Sequence, residues 1–310
     1  MQTGEAISRR ELKQLMKRSD RPGLLRLAAW AVVLGGTGSL IWAAGRDPWL
    51  LVPAMFLHGV VMVHLFALQH ECSHYSAFRS RWLCRLLARV CGFLLIIPPL
   101  FFRYEHCDHH TFTNQPGRDP ELIELPASLW HYLAYLSALP YWRGQIAGLL
   151  RRATGRLTPV EKRFIPRVEQ GAIVRESRLM IAGYLAVAAA MAGFQWTGPV
   201  FYWFLPLLLG EPVMRFVRMT EHVGRPQVAD IATNTRCNLV SAPWRFLAWN
   251  MNYHAEHHFA PSVPFHALPA LHARLRAHLY VETKGYLGAH REILGQVCAA
   301  RRADRQGSVL

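Results

Sequence analysis

Apolar residues in this chain gather in long unbroken blocks instead of alternating stripes, the pattern of helices whose whole circumference meets lipid. Blocks at 24–44, 50–68, 179–196 and 199–217 are each about long enough to cross a hydrocarbon core as a helix. They predict four transmembrane helices in two hairpins. A fifth block, 83–102, is interrupted by Arg85, Arg89 and the Pro98-Pro99 pair, and is read as re-entrant or interfacial. The stretch 129–150 reads the same way, because Trp130, Tyr132, Tyr135, Tyr141 and Trp142 suit the headgroup region. The organisation expected over residues 1–310 is a single domain. A polar arm (1–23) leads into the first hairpin (24–68), an interfacial segment (69–178), the second hairpin (179–217) and a final polar segment (218–310) that ends in a loose basic tail from Arg301.

Charge turns these spans into a topology. Arg9, Arg10, Lys13, Lys17, Arg18 and Arg21 precede the first span, and Arg46 alone carries basic charge in the short turns of the opposite face. The positive-inside rule therefore places both termini and the long middle segment in the cytoplasm, with a bacterial inner membrane as the expected setting. Trp42, Trp49, Trp196, Tyr202 and Trp203 then form an aromatic belt at the outer face, and Arg215 and Arg218 anchor the end of the fourth span by snorkelling. A net charge of +15 is thus accounted for by topology and anionic lipid. With no soluble basic domain, nucleic acid is not an expected partner. Six cysteines without C-x-x-C spacing imply a reduced compartment and no disulfide framework. The basic N-terminal stretch before the first apolar block reads as an uncleaved anchor.

Three histidine clusters carry the candidate chemistry: His70 and His74 in H-E-C-S-H, His106, His109 and His110 in H-C-D-H-H, and His254, His257 and His258 in H-A-E-H-H. On a helix, positions i, i+3 and i+4 share a face, so each cluster aims its imidazoles at one point. Eight imidazoles exceed what one ion takes, which implies two metals in one pocket at the cytoplasmic ends of the spans. His222, in T-E-H-V-G just past the fourth span, is a ninth candidate by position. Imidazole ligation disfavours magnesium and calcium and leaves iron, copper and zinc. Glu71, Asp108, Asp119 and Glu256 are candidate carboxylates for fixing the ring nitrogens that face away from the metal, with salt bridges or turns as the alternative roles. Asn234, Asn238, Asn250 and Asn252 are expected to be structural. His58 and His64 read as core residues, His266, His272 and His278 as surface residues, and Cys72 and Cys107 as small fillers. H-E-C-S-H also reads as H-E-x-x-H, which keeps a zinc intramembrane protease with Glu71 as general base among the readings. A metal transporter or sensor is a third.

The H-x-x-x-H, H-x-x-H-H and H-x-x-H-H series, in this order and at these membrane positions, resembles the signature of the membrane fatty acid desaturases and their hydroxylase relatives. The resemblance runs from about the second span to Leu271, and N-Y-H-A-E-H-H-F-A-P at 252–261 looks most like acyl-lipid and sphingolipid desaturases. It implies an all-α integral membrane protein with four spans and a cytoplasmic metal-binding cap. It also implies two iron ions with dioxygen as co-substrate, and a metal ligand at His222. The implied reaction introduces a double bond into an acyl or lipid-like alkyl chain, with hydroxylation at the same diiron site as the alternative. No cytochrome-type or flavin domain is legible in these residues. The electrons are therefore expected from an external donor, a ferredoxin, a rubredoxin or a cytochrome-type carrier with its reductase, drawn to the basic cytoplasmic face.

Overall fold

The computed structural model describes residues 6–307, which are mostly helical. The chain opens with α1 (Arg9–Leu15), α2 (Asp20–Ala44), α3 (Pro48–Val63) and α4 (Leu65–Ser73). Asp47 caps α3 by accepting the Trp49 N–H at 2.9 Å, with Pro48 in the first turn. At His64 the helix breaks and resumes as α4, so that 48–73 is one nearly continuous apolar element with H-E-C-S-H at its end. Next come α5 (Arg81–Leu95) and α6 (Pro99–Phe112), bent by 99° to each other. That corner is made by Ile96 in the left-handed region (φ 61°) followed by Pro98 and Pro99, which stop one helix and start the next. The interrupted block at 83–102 is therefore a sharp corner.

The rest of the chain begins with α7 (Leu129–Leu136), α8 (Leu139–Ala153), α9 (Pro159–Phe164) and α10 (Arg167–Gly193), then a π-helical turn at Val200–Phe204 that leads into α11 (Leu205–His222). After it come α12 (Ile231–Asn234), β1 (Arg236–Asn238), α13 (Ala242–Leu247), α14 (His254–Phe259), α15 (Leu268–Leu275), β2 (Tyr280–Glu282) and α16 (Gly285–Gly307). Three helices among the described residues are long and apolar enough to cross a membrane, at 20–44, 48–73 and 200–222, and the bent pair of α5 and α6 adds a fourth element if it counts as one span. The block expected as the third span, 179–196, forms the second half of α10, whose first half carries Arg167, Glu169, Arg175, Glu176 and Arg178. Helix α16 continues through Gly307, past the point where a loose tail was expected.

The chain divides into two compact units. One holds residues 19–106 and 141–214, with the long apolar helices. Within it α3 and α11 approach so closely that a Cβ on Gly59 would lie 1.9 Å from the Pro206 carbonyl oxygen, and one on Gly210 would lie 2.3 Å from Gly59 backbone. Only glycine at both positions permits that approach, a familiar device where packing alone holds helices together. The Trp203 indole N–H donates to Leu94 O at 2.7 Å and the Tyr184 hydroxyl donates to Phe93 O at 2.9 Å. Trp203 is buried, so it does not belong to the expected aromatic belt, whereas Trp42 and Trp49 are 79% and 86% exposed. Its indole N–H satisfies a helix-end carbonyl inside the unit. His58, expected in the core, is buried with its Nδ1 2.8 Å from the Thr37 hydroxyl.

The other unit holds residues up to 18, 107–140 and from 215 onward. Its centre is a two-stranded parallel sheet, with Arg236, Cys237 and Asn238 of β1 opposite Tyr280, Val281 and Glu282 of β2. Cys237, Tyr253, Val263, Leu268, Leu271 and Leu275 form a core against which Ile7 also packs. Helix α1 is fixed by a capping box in which Ser8 and Glu11 satisfy each other's backbone N–H groups.

The glycine contact yields a test. Gly59→Ala forces α3 off the Pro206 carbonyl and should cost about 2 kcal/mol or more, read as a lowered unfolding temperature in detergent. Gly36→Ala on α2, whose Cβ would meet nothing within 4 Å, should leave that temperature unchanged.

Candidate metal centre

Helix α11 ends at His222 because Gly224, in the left-handed region (φ 74°), turns the chain away. Helix α14 is only six residues long, but it brings His254, His257 and His258 onto one side. His109 projects from the last turn of α6. These elements place His109, His222, His254 and His258, all buried, with their ligand atoms within 4.8 Å of one another.

The hydrogen bonds on the outer side of this tetrad decide which nitrogen faces inward. His109 Nδ1 lies 2.8 Å from Asp119 Oδ1, and a carboxylate only accepts, so Nδ1 carries the proton and Nε2 keeps its lone pair. His222 Nδ1 lies 3.3 Å from Asn234 O, a carbonyl that imposes the same tautomer. At His258 the partner is the Thr113 hydroxyl at 3.1 Å, whose own proton is donated to His109 O at 2.8 Å, so it too accepts from Nδ1. His258 is held neutral by burial and by the neighbouring imidazoles.

His254 Nε2 stands 3.0 Å from His222 Nε2 and 3.1 Å from His258 Nε2. A neutral His254 has one proton to offer at that nitrogen. That proton can serve only one of the two contacts, and a cation among the nitrogens would serve both. The donor set fits a metal ion.

The remaining box histidines fall into two smaller groups. In the same unit His110 and His257 stand with their Nε2 atoms 3.0 Å apart, and the His110 ring stacks on His258 at 4.1 Å between centroids. In the unit of long helices His70, His74 and His106 gather, with ring centroids 4.3 Å (His70–His106), 4.9 Å (His74–His106) and 5.3 Å (His70–His74) apart.

The carboxylates divide by position. Asp119 does two jobs, since besides meeting His109 it accepts the N–H groups of Asn114 and Glu121 at 2.7 and 2.8 Å and so shapes its own turn. Glu71 is buried and accepts the Ser76 hydroxyl at 2.9 Å. Asp108 is partly buried on α6. Glu256 pairs with His272, which corrects the surface reading of that histidine, and Cys237 lies 3.6 Å from the same ring nitrogen. Six-residue spacing in the sequence carried no sign of that contact, because it is made between α14 and α15. His266 is half-buried as well, while His278 is exposed.

Arg218 is also corrected. Instead of snorkelling it is buried, with Glu221 at 2.6 Å and Glu121 at 2.7 Å, and Glu221 lies 3.6 Å from His254 Nε2. Two carboxylates around one guanidinium compensate the burial of all three charges. Sequence reasoning missed Thr113, Glu121 and Glu221. A hydroxyl or carboxylate beside a box carries no distinguishing spacing.

Residues 47–287 match the model of the family described as Fatty acid desaturase. The chain belongs to the fatty acid desaturase family. It is 24% identical over 276 residues to an sn-1 oleoyl-lipid 12-desaturase of Picosynechococcus sp., covering 81% of this chain and 77% of that protein. It is likewise 24% identical to the sn-1 oleoyl-lipid 12-desaturase of Arthrospira platensis over 78% of this chain and 74% of the relative. A Delta(5) fatty acid desaturase of Caenorhabditis elegans is 23% identical over 70% of this chain and 55% of the relative. This desaturase is accordingly a membrane oxidoreductase of lipid metabolism, and the zinc protease reading of H-E-C-S-H gives way to the family's histidine boxes.

Loss of the outer hydrogen bond should weaken metal binding without removing a ligand. Asp119→Ala should lower affinity about 10- to 100-fold, measured by metal content after graded chelation. His222→Ala should lower the metal bound at saturation, and His131→Ala, at an exposed position outside the boxes, should alter neither quantity.

Proposed function

We propose that this desaturase introduces a double bond into an acyl chain carried on a membrane lipid, at two irons held by nine histidines. His109, His222, His254 and His258 are assigned to one iron. The observation that carries the reading is the buried tetrad, whose outer nitrogens are engaged by Asp119, Asn234 and Thr113 and whose Nε2 atoms converge.

When bound, the irons supply the chemistry that side chains lack, the two-electron activation of dioxygen for attack on an unactivated C–H bond. Over one turnover two adjacent carbons each lose a hydrogen and become an alkene. Dioxygen takes up those two hydrogens, two electrons and two protons, and leaves as two waters. The chain's own residues do three things. The Nδ1 hydrogen bonds fix the tautomer and orientation of the imidazoles, so binding needs little reorganisation. Arg218 pairs with Glu221 and Glu121 and holds both side chains in place beside the tetrad. Burial of the ring nitrogens keeps bulk water from the oxidising site.

The relatives from Picosynechococcus sp. and Arthrospira platensis are named for oleoyl-lipids, and we assign a lipid-esterified acyl chain to this enzyme as well. We further propose four spans, a bacterial inner membrane, and termini and histidines on the cytoplasmic side. There an external electron carrier of acidic surface meets the basic face.

The test pairs metal with product. Detergent-purified, iron-supplied protein should hold close to two irons per chain. Expression in a host without desaturases should add double bonds to its membrane acyl chains, and His109→Ala or His257→Ala should abolish the product and lower iron while insertion persists. One zinc and no iron, or new hydroxyls in place of double bonds, would overturn the assignment.

A further inference from the structure

A cavity of about 390 Å³ opens in the unit of long helices, between the last turn of α4 and the helices α5, α6 and α10. Its lining combines two chemistries. Phe93, Leu100, Leu179 and Met180 are apolar, while Arg85 and Arg89 of α5, Arg103 of α6 and Arg175 of α10 supply four guanidinium groups. Arg85 and Arg89 stand one turn apart, on one face of their helix. The only carboxylate lining the cavity, Glu176, is already engaged, accepting the backbone N–H groups of Leu100 and Phe101 at 2.9 and 3.1 Å and so capping α6. Arg103 donates to Ser73 O and lies over the Tyr75 ring. No salt bridge involving Arg85, Arg89 or Arg175 forms among the described residues.

Four cations against one committed carboxylate leave a local excess of about three positive charges, placed beside an apolar floor. Solvated arginines on a helix face need no such floor. A free inorganic anion would leave the apolar half wet, and a neutral alkyl chain would leave the guanidiniums unmatched. An amphiphile with a phosphate head satisfies both sets of side chains, because guanidinium meets phosphate oxygens in pairs and the first methylenes of its chain displace water from the apolar ones. Basic pockets between membrane helices on the cytoplasmic side hold anionic headgroups by the same physics.

We propose that this cavity is a binding site for an anionic glycerophospholipid, with the phosphate on Arg85, Arg89, Arg103 and Arg175 and the proximal acyl methylenes against Phe93, Leu179 and Met180. Cys72 and Ser73 form part of the wall, so the bound headgroup backs onto the segment between His70 and His74. The site rests on the chain being a membrane protein and is independent of which reaction the histidines perform.

Lipid retention by the purified full-length protein tests it, read by native mass spectrometry in detergent after exchange into mixed phosphatidylglycerol and phosphatidylcholine. The wild type should retain phosphatidylglycerol selectively, and millimolar inorganic phosphate should not displace it. Arg89→Gln combined with Arg175→Gln should weaken retention about tenfold or more with bound metal unchanged, since each charge-assisted hydrogen bond lost is worth about one order of magnitude. Ala88→Phe fills the cavity without changing its charge and should also expel the lipid. It serves as the second variant if the charge variant folds poorly, with circular dichroism as the check on folding. Arg46→Gln, far from the cavity in sequence, should retain lipid as the wild type does. Equal retention of the two lipids, displacement by phosphate alone, or unchanged binding in both cavity variants would each overturn the proposal.

Discussion

The metal centre depends on which nitrogen of each imidazole is protonated. A histidine ring has two nitrogens and, when neutral, one proton between them; whichever group claims that proton settles which lone pair is free. Asp119, Asn234 O and the Thr113 hydroxyl each claim it at Nδ1, from outside the tetrad. The result is that the Nε2 atoms of His109, His222 and His258 are left as the acceptors on the inner side of the tetrad. The capacity of this cluster to bind a metal ion thus depends on the outer hydrogen-bond partners as much as on the imidazoles.

That layer explains why a small parallel sheet sits in an otherwise helical protein. The segment leading into α14 has no long helix to hold it. Instead Asn238 of β1 receives and returns hydrogen bonds with Asn252, its N–H donating to Asn252 O at 2.8 Å and its carbonyl accepting from the Asn252 amide at 2.9 Å. The Asn238 side chain donates to the Thr220 hydroxyl at 3.2 Å, and Arg236 binds Glu292 of α16 at 2.9 Å. β1 therefore ties the third histidine box to α11, which carries His222, and to α16. A six-residue helix is too short to hold its own position, and this cross-bracing keeps His254 and His258 aimed into the tetrad.

The parts of this arrangement that were legible in the sequence are those with a local period. Histidine spacing of three and four marked the box helices, and block hydrophobicity marked α2 and the 48–73 element, because both signals are written within one or two turns. What was not legible depends on partners distant in the chain. Arg218 looks like a snorkelling anchor until Glu121, nearly a hundred positions earlier, is found against it. His272 looks like surface until Glu256 is found beside it, and Trp203 looks like an interfacial aromatic until Leu94 O claims its N–H. In each case the residue type allowed two roles, and only the fold chose between them. Asp119 is the instructive middle case: a turn role and a histidine-orienting role were weighed as alternatives, and its two oxygens perform both.

The unit of long helices answers a different constraint. In lipid the hydrophobic effect no longer drives one helix onto another, so close association must come from shape and from hydrogen bonds that leave no backbone group unsatisfied. Gly59 and Gly210 supply the shape, letting α3 and α11 meet backbone to backbone. Trp203, Tyr184 and Glu176 supply the bonds, each directed at the backbone ends exposed by the corner between α5 and α6, where two prolines and a left-handed Ile96 interrupt the helix. Leu94 O and Phe93 O lie on one side of that corner and the N–H groups of Leu100 and Phe101 on the other. These backbone groups of the break are thereby satisfied from within the unit. The corner can be rigid where an unsatisfied one would fray, and a rigid corner fixes the direction in which α6 sets out with His106, His109 and His110 along it.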